Sequence, residues 1–312
     1  HNYYEDWEIR QQERLDLSKD AGDTLKFIGG MSPFAKYLPR GQQRQEMTAI
    51  AGPTYSGKSV LLTNLIHMAA SPENGFNCLY VFSENRKIQA ASRLDAVFLD
   101  REYDKLYSGN SEDVVGDSFF RLAPKEGWGQ IYMSRVVPGG FNSRTMADMI
   151  DFIRVEYDII IDALFVDSPE HQRPIRSTQT WHLDKGEVWM DNKKLAEDMD
   201  LFFIGTTQMK ASSAKGDFVS NEDLAGSYDI SRHVDNIFAY NVNPDDRMLN
   251  RANIQVTKAR DGRIDNKMNY FYFEKSHRMR PWEEIFGPDR SPSIENKDAI
   301  EYAIKNYEDS KA

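Results

Sequence analysis

The sequence is poor in cysteine, in long apolar runs and in positive charge. Cys78 is its one cysteine, so no intramolecular disulfide is possible. That thiol lies inside the run "CLYVF" (78–82), which suits a core position and a reducing compartment. No segment approaches the ~18 consecutive apolar residues of a membrane span, so the expectation is a cytoplasmic protein without a membrane partner. Lys and Arg number 39 against 49 Asp and Glu, a net charge of -10 with a pI near 5.2. Such an acidic chain is not a nucleic-acid binder over its whole surface, and any such contact must be local and basic. The chain opens at His1 on a polar stretch without the apolar core of a signal peptide, and reads as a trimmed product.

What is present is globular. Of 312 residues, 40% are hydrophobic and 28% charged, with ample length for a sizeable core. Residues 1–24 are charged and read as an arm or linker, helical from about Tyr4 to Leu17. Residues 25–282 then alternate short apolar runs with amphipathic stretches. Strands are expected at 45–52, 78–83, 131–137, 163–168 and 201–208, and helices at 58–70, 87–100, 144–157 and 187–200. Residues 101–128 read mainly as loop. "NIFAYNV", "NRANIQVTKAR" and "KMNYFYFEK" (267–275) read as further strands, and residues 283–312 as a solvated tail or helix. Strand–helix alternation predicts an α/β fold, a mainly parallel sheet flanked by helices, with antiparallel strands added on the carboxyl-terminal side.

One loop carries chemistry. Gly52, Pro53, Thr54, Tyr55, Ser56, Gly57, Lys58 and Ser59 fit G-x-x-x-x-G-K-[ST] between an apolar strand and a helix. Glycines let backbone N–H groups face phosphates, and the helix start adds partial positive charge. Lys58 then reaches the outer phosphates and the Ser59 hydroxyl ligates magnesium, which makes ATP and Mg2+ the expected ligands. An ordinary glycine loop with an exposed lysine has the same letters, but chance gives this spacing in only about 1% of such chains.

Hydrolysis needs a carboxylate for the metal. Asp167, ending "ALFVD", is preferred over Asp162, ending "DIIID", because it follows the better buried strand. Glu84, just past the second strand, stands where such sheets carry their sites, though an acid at a helix start is also favourable for the dipole alone. Gln208, ending "LFFIGTTQ", is placed either to sense a terminal phosphate or to cap the next loop.

The order of these pieces resembles the ATPase domain of DnaB-type replicative helicases, within the RecA-like group. "LPRGQQRQEMTAIAGPTYSGKSVLLTNLIHMA", "LYVFSEN", "ALFVDS", "LAEDMDLFFIGTTQMK", "EDLAGSYDISRHVDNIFAY" and "NIQVTKARDGR" carry the resemblance, over roughly residues 25–280. It implies Glu84 as catalytic glutamate, Asp167 as magnesium aspartate and Gln208 as sensor. It also implies that Lys258 and Arg260 act on the nucleotide of a neighbouring subunit, Arg260 as arginine finger. Read from its own residues, "TKARDGRIDNK" is a solvated hairpin turning at Asp261 and Gly262. The resemblance further implies a homo-oligomeric, hexameric ring translocating on single-stranded DNA, with primase or a helicase loader as partners. Channel loops would then present Arg173 and Arg176, and Lys210 and Lys215. The chain departs from the family at the recombinase-like "GPTYSG" and at "SPEHQRP" after the aspartate strand. A filament-forming recombination ATPase, or a nucleotide-dependent assembly protein without a DNA role, are the rival functions.

Overall fold

The computed structural model describes residues 11–12, 24–108, 122–178, 180–209, 228–242, 246, 248–264 and 267–287, together with 302, 304, 305 and 307. Most of the expected arm and of the expected tail, and Lys210 and Lys215, lie outside these residues. A short ribbon pairs β1 (Thr24–Leu25) with β2 (Gln42–Gln43). The other strands are β3 (Met47–Gly52), β4 (Cys78–Phe82), β5 (Ile131–Arg135), β6 (Ala163–Asp167), β7 (Phe202–Gln208), β8 (Asn236–Asn241), β9 (Arg251–Ala259), β10 (Lys267–Tyr272) and β11 (Met279–Pro281). They form one nine-stranded sheet in the order β11-β10-β9-β8-β3-β7-β6-β4-β5.

The strands from β8 to β5 in that order are parallel, and β9, β10 and β11 continue antiparallel. β8 therefore belongs to the parallel half, one strand more than strand–helix alternation through residue 208 implies. β4 (CLYVF) and β6 up to its final aspartate (ALFV) read as unbroken apolar runs because both of their faces are covered. Period-2 alternation divides them: Tyr80, Phe82, Phe165 and Ile204 enter one core, while Leu79, Val81, Leu164 and Val166 enter the other.

The first core is roofed by α1 (Lys58–Ala70) and α2 (Lys87–Leu99) and by a 3-10 helix, Gly29–Lys36. α1 holds no Gly or Pro and buries Leu61, Leu62, Leu65 and Ile66, and it stops two residues before Pro72. α3 (Tyr103–Ser108) follows in the stretch expected as loop. The second core is roofed by α4 (Ser143–Tyr157), α5 (Trp181–Asp198) and α6 (Tyr228–His233). Asn142 caps α4 by accepting from the Thr145 amide. α5 starts six residues ahead of the expected 187, within a polar stretch that periodicity alone does not mark. The expected boundary at residue 282 falls inside α7 (Trp282–Phe286), whose Trp282 and Phe286 pack on Phe271 of β10.

Candidate nucleotide site

The carboxyl ends of β3, β4, β6 and β7 converge on one edge of the sheet. Gly52 is level with Gln208, and Phe82 is level with Asp167. Chain reversal at Gly57, with φ of 104°, launches α1 directly from the loop. A Cβ at Gly52 would stand 2.7 Å from the Tyr240 carbonyl oxygen, so the loop needs glycine there. Tyr55 stands at the apex, 91% exposed.

Lys58 Nζ donates to the carbonyls of Gly52 at 3.0 Å and Pro53 at 2.7 Å, which keeps the ammonium at the mouth of the loop. Burial lowers its pKa, while Asp167, Glu170 and Glu84 pull it back up. Ser59 Oγ donates to Asp167 Oδ2 at 2.6 Å, and Thr206 Oγ1 donates to Asp167 Oδ1 at 2.7 Å. Asp162 sits at the other end of β6. There it pairs with Arg44 Nη2 at 2.7 Å and accepts from the Asn77 amide.

Glu84 lies two residues beyond β4 with its side chain 61% exposed. Its Oε1 is 3.4 Å from His171 Nε2, and His171 Nδ1 is 2.7 Å from Ser83 Oγ. The exposed Gln208 ends β7, and its amide donates to Glu170 Oε1 at 3.0 Å. Glu170 Oε1 also accepts from Thr207 Oγ1 at 2.7 Å. Arg173 and Arg176 are exposed on the segment after β6.

Lys258 and Arg260 lie elsewhere. β9 runs against β8, so its end is level with Asn236 at the amino-terminal edge of the parallel strands. They are a full strand length from the phosphate loop of their own chain. Lys258 Nζ donates to the carbonyls of Ser231 and Val234, both at 2.6 Å, across the end of α6. Arg260 Nη1 donates to Asp235 Oδ1 at 2.8 Å, its side chain 65% exposed. Asp235 is buried and also accepts from Lys193 Nζ and the Met47 amide, both at 2.9 Å. Burial pushes that carboxyl up, yet Lys193, Met47 and Arg260 together hold it below its ordinary value. β9 and β10 form the hairpin that these letters suggest, with Asp261 exposed, but the connection is longer than two residues and packs at Gly262. A Cβ at Gly262 would meet the Tyr37 carbonyl at 2.1 Å, and the Arg263 amide donates to that same oxygen.

Thr206, Glu170, His171 and Asp235 belong to no motif. A hydroxyl pair closing the apolar β7 and an acid preceding the apolar β8 are the signals that point to Thr206 and Asp235. Nothing local marks Glu170 or His171, whose partners are distant in sequence.

The donors fit magnesium and phosphate. Ser59 and Asp167 offer adjacent hard oxygens. Ser56 Oγ is buried in the loop and, among the described residues, has no hydrogen-bond partner. Among the described residues no three His, Cys, Asp or Glu side chains form a metal cage, and a hard cation shared with phosphate oxygens needs none. No described helix is long and apolar enough to cross a membrane.

No family model and no curated protein matches the chain. Solved structures do. One of them, an ATPase domain, superposes with a TM-score of 0.73 at 15% identity, over 89% of this chain and 99% of that one. Another, a DnaB-like replicative helicase from a structure describing its interactions with primase, gives 0.71 at 14% identity. That match covers 86% of this chain and 66% of the helicase. The likeness fixes the fold as the RecA-like one that the sequence resemblance implies.

Proposed function

We propose that this chain is an ATP-hydrolysing motor domain of the DnaB helicase type, working on single-stranded DNA with each site shared between two copies. The observation that carries it is the 2.6 Å bond from Ser59 Oγ to Asp167 Oδ2 at the mouth of the Lys58 loop. It brings together, on one sheet edge, the phosphate loop and the acid expected to hold the metal.

Loop amides and Lys58 hold the outer phosphates of ATP, and Ser59 and Asp167 hold magnesium. Bound magnesium supplies positive charge against the phosphate oxygens. Glu84 orients a water and takes its proton, and Gln208 senses the terminal phosphate from the next strand end. Lys258 and Arg260 are too far away to serve their own loop. In a head-to-tail assembly they face a neighbour's loop, where Arg260 stabilises transition-state charge. Arg173 and Arg176, with Lys210 and Lys215, line the DNA path and contact phosphates. A hexameric ring in the cytoplasm, with primase or a loader as partners, completes this reading by analogy with the helicases.

ATP turnover per chain against protein concentration, with and without single-stranded DNA, tests the proposal. Turnover rises with concentration and with DNA, and Arg260→Ala lowers it about 1,000-fold while nucleotide still binds. Turnover indifferent to concentration, DNA and Arg260 refutes it.

A further inference from the structure

β6 lies between β7 and β4, and the turn that follows it, Pro169–His171, grips both neighbours. On the β7 side, Glu170 accepts from Thr207 and from the Gln208 amide. On the β4 side, His171 meets Ser83 at 2.7 Å and Glu84 at 3.4 Å. The turn itself is anchored: the Gly139 amide donates to the His171 carbonyl at 2.7 Å, and the Arg173 amide donates to Phe141 O at 2.9 Å.

Glu84 needs such a partner. It stands between the end of β4 and the start of α2, on backbone outside both, with a long and mostly exposed side chain. Left free, that side chain samples many rotamers. Among the described residues His171 Nε2 makes the one polar contact to its carboxylate. Ser83 is buried, and its hydroxyl meets Nδ1 at 2.7 Å and the Asp167 carbonyl at 3.4 Å. With that hydroxyl donating to Nδ1, the neutral imidazole carries its proton on Nε2, facing Glu84.

We propose that His171 is a positioning residue for Glu84, fixing the carboxylate and linking it to the segment that carries Arg173 and Arg176. This rests on reading Glu84 as the group that orients the attacking water. A displacement of a catalytic group by an ångström costs large factors in rate without touching substrate affinity.

Steady-state ATPase of His171→Ala, His171→Asn, His171→Gln and Glu84→Gln tests it, with N-methylanthraniloyl-ATP binding measured for each. A glutamine amide nitrogen reaches the place of Nε2, whereas asparagine reaches only that of Nδ1. The expectation is a fall in kcat of about tenfold for His171→Ala and His171→Asn. His171→Gln keeps most of the rate, and KM and the Kd of the labelled nucleotide stay within about twofold throughout. Wild-type kcat in His171→Ala, or rescue by asparagine and not by glutamine, overturns the proposal and leaves His171 as an anchor for Ser83. A fully active Glu84→Gln instead removes the underlying role of Glu84, so the two failures are distinct.

Discussion

Asp162 and Asp167 flank a single strand and serve opposite ends of the sheet. Asp162 precedes β6 and locks Arg44 and the Asn77 amide, while Asp167 closes β6 beneath the Ser59 and Thr206 hydroxyls. About 17 Å of extended chain separates them. Asp167→Asn should lower kcat at least 100-fold and weaken magnesium dependence. Asp162→Asn should leave kcat within about twofold and lower unfolding free energy by about 1–3 kcal/mol. Denaturant melts and magnesium titrations of both variants decide this, and the reverse pattern would exchange the two roles.

Separation of the phosphate loop from Arg260 makes a mixing experiment informative. Lys58→Ala retains the arginine and loses the loop's cation; Arg260→Ala does the opposite. Each alone should be at least 100-fold less active than wild type. Mixed, the two restore activity at those junctions where an intact loop meets an intact arginine. Mixtures no more active than their parts would place the whole site within one chain.

Acid should loosen this protein through His67. Burial, with Arg278 and Arg280 nearby, depresses that imidazole to about 3, and its ring packs edge-on against Phe98 and Trp128. Held neutral when folded, it takes up a proton on unfolding once pH falls below its ordinary 6.5. Its contribution is complete above that pH and is lost as pH falls toward 3, at about 1.4 kcal/mol per unit. His67→Phe keeps a ring and should flatten unfolding free energy between about pH 6 and 4 by that slope. Equal slopes in the two proteins would refute it.

Of the two loop glycines, Gly52 has the less room. A Cβ there meets the Tyr240 carbonyl at 2.7 Å and Ser56 Oγ at 2.9 Å. Gly52→Ala must displace β8 or the loop. It should weaken ATP binding about tenfold or more and lower Tm by several degrees, as for a cost of about 2 kcal/mol. Calorimetry with ATP measures both, and unchanged binding would mean the loop tolerates the shift.

The elements most legible in the sequence are those whose signals are local. α1 runs from Lys58 to Ala70 as its leucine stripe and flanking breakers dictate, and the ends of β4 and β6 fall within a residue of expectation. Asp167 is separable from Asp162 because only one follows a wholly apolar strand. Relationships made across the sheet are not legible. The grip of Glu170 on β7, the His171 contact with Glu84 and the burial of Asp235 between Lys193 and Arg260 all join residues from separate elements. Periodicity cannot rank them. β11 and α7 escape for another reason: each is too short to display a period.

The opposed placement of the phosphate loop and Arg260 also sets an arithmetic for assembly. On the proposed shared site, a chain that receives at one edge and donates at the other would join its like heterologously, so every assembly would have a direction. In a closed ring each loop finds an arginine, and activity per chain is the same for any ring size. In an open helix of n chains one terminal loop stays uncompleted, and activity per chain follows (n − 1)/n. Turnover measured on size-separated oligomers therefore reports closure itself, without an image of the particle.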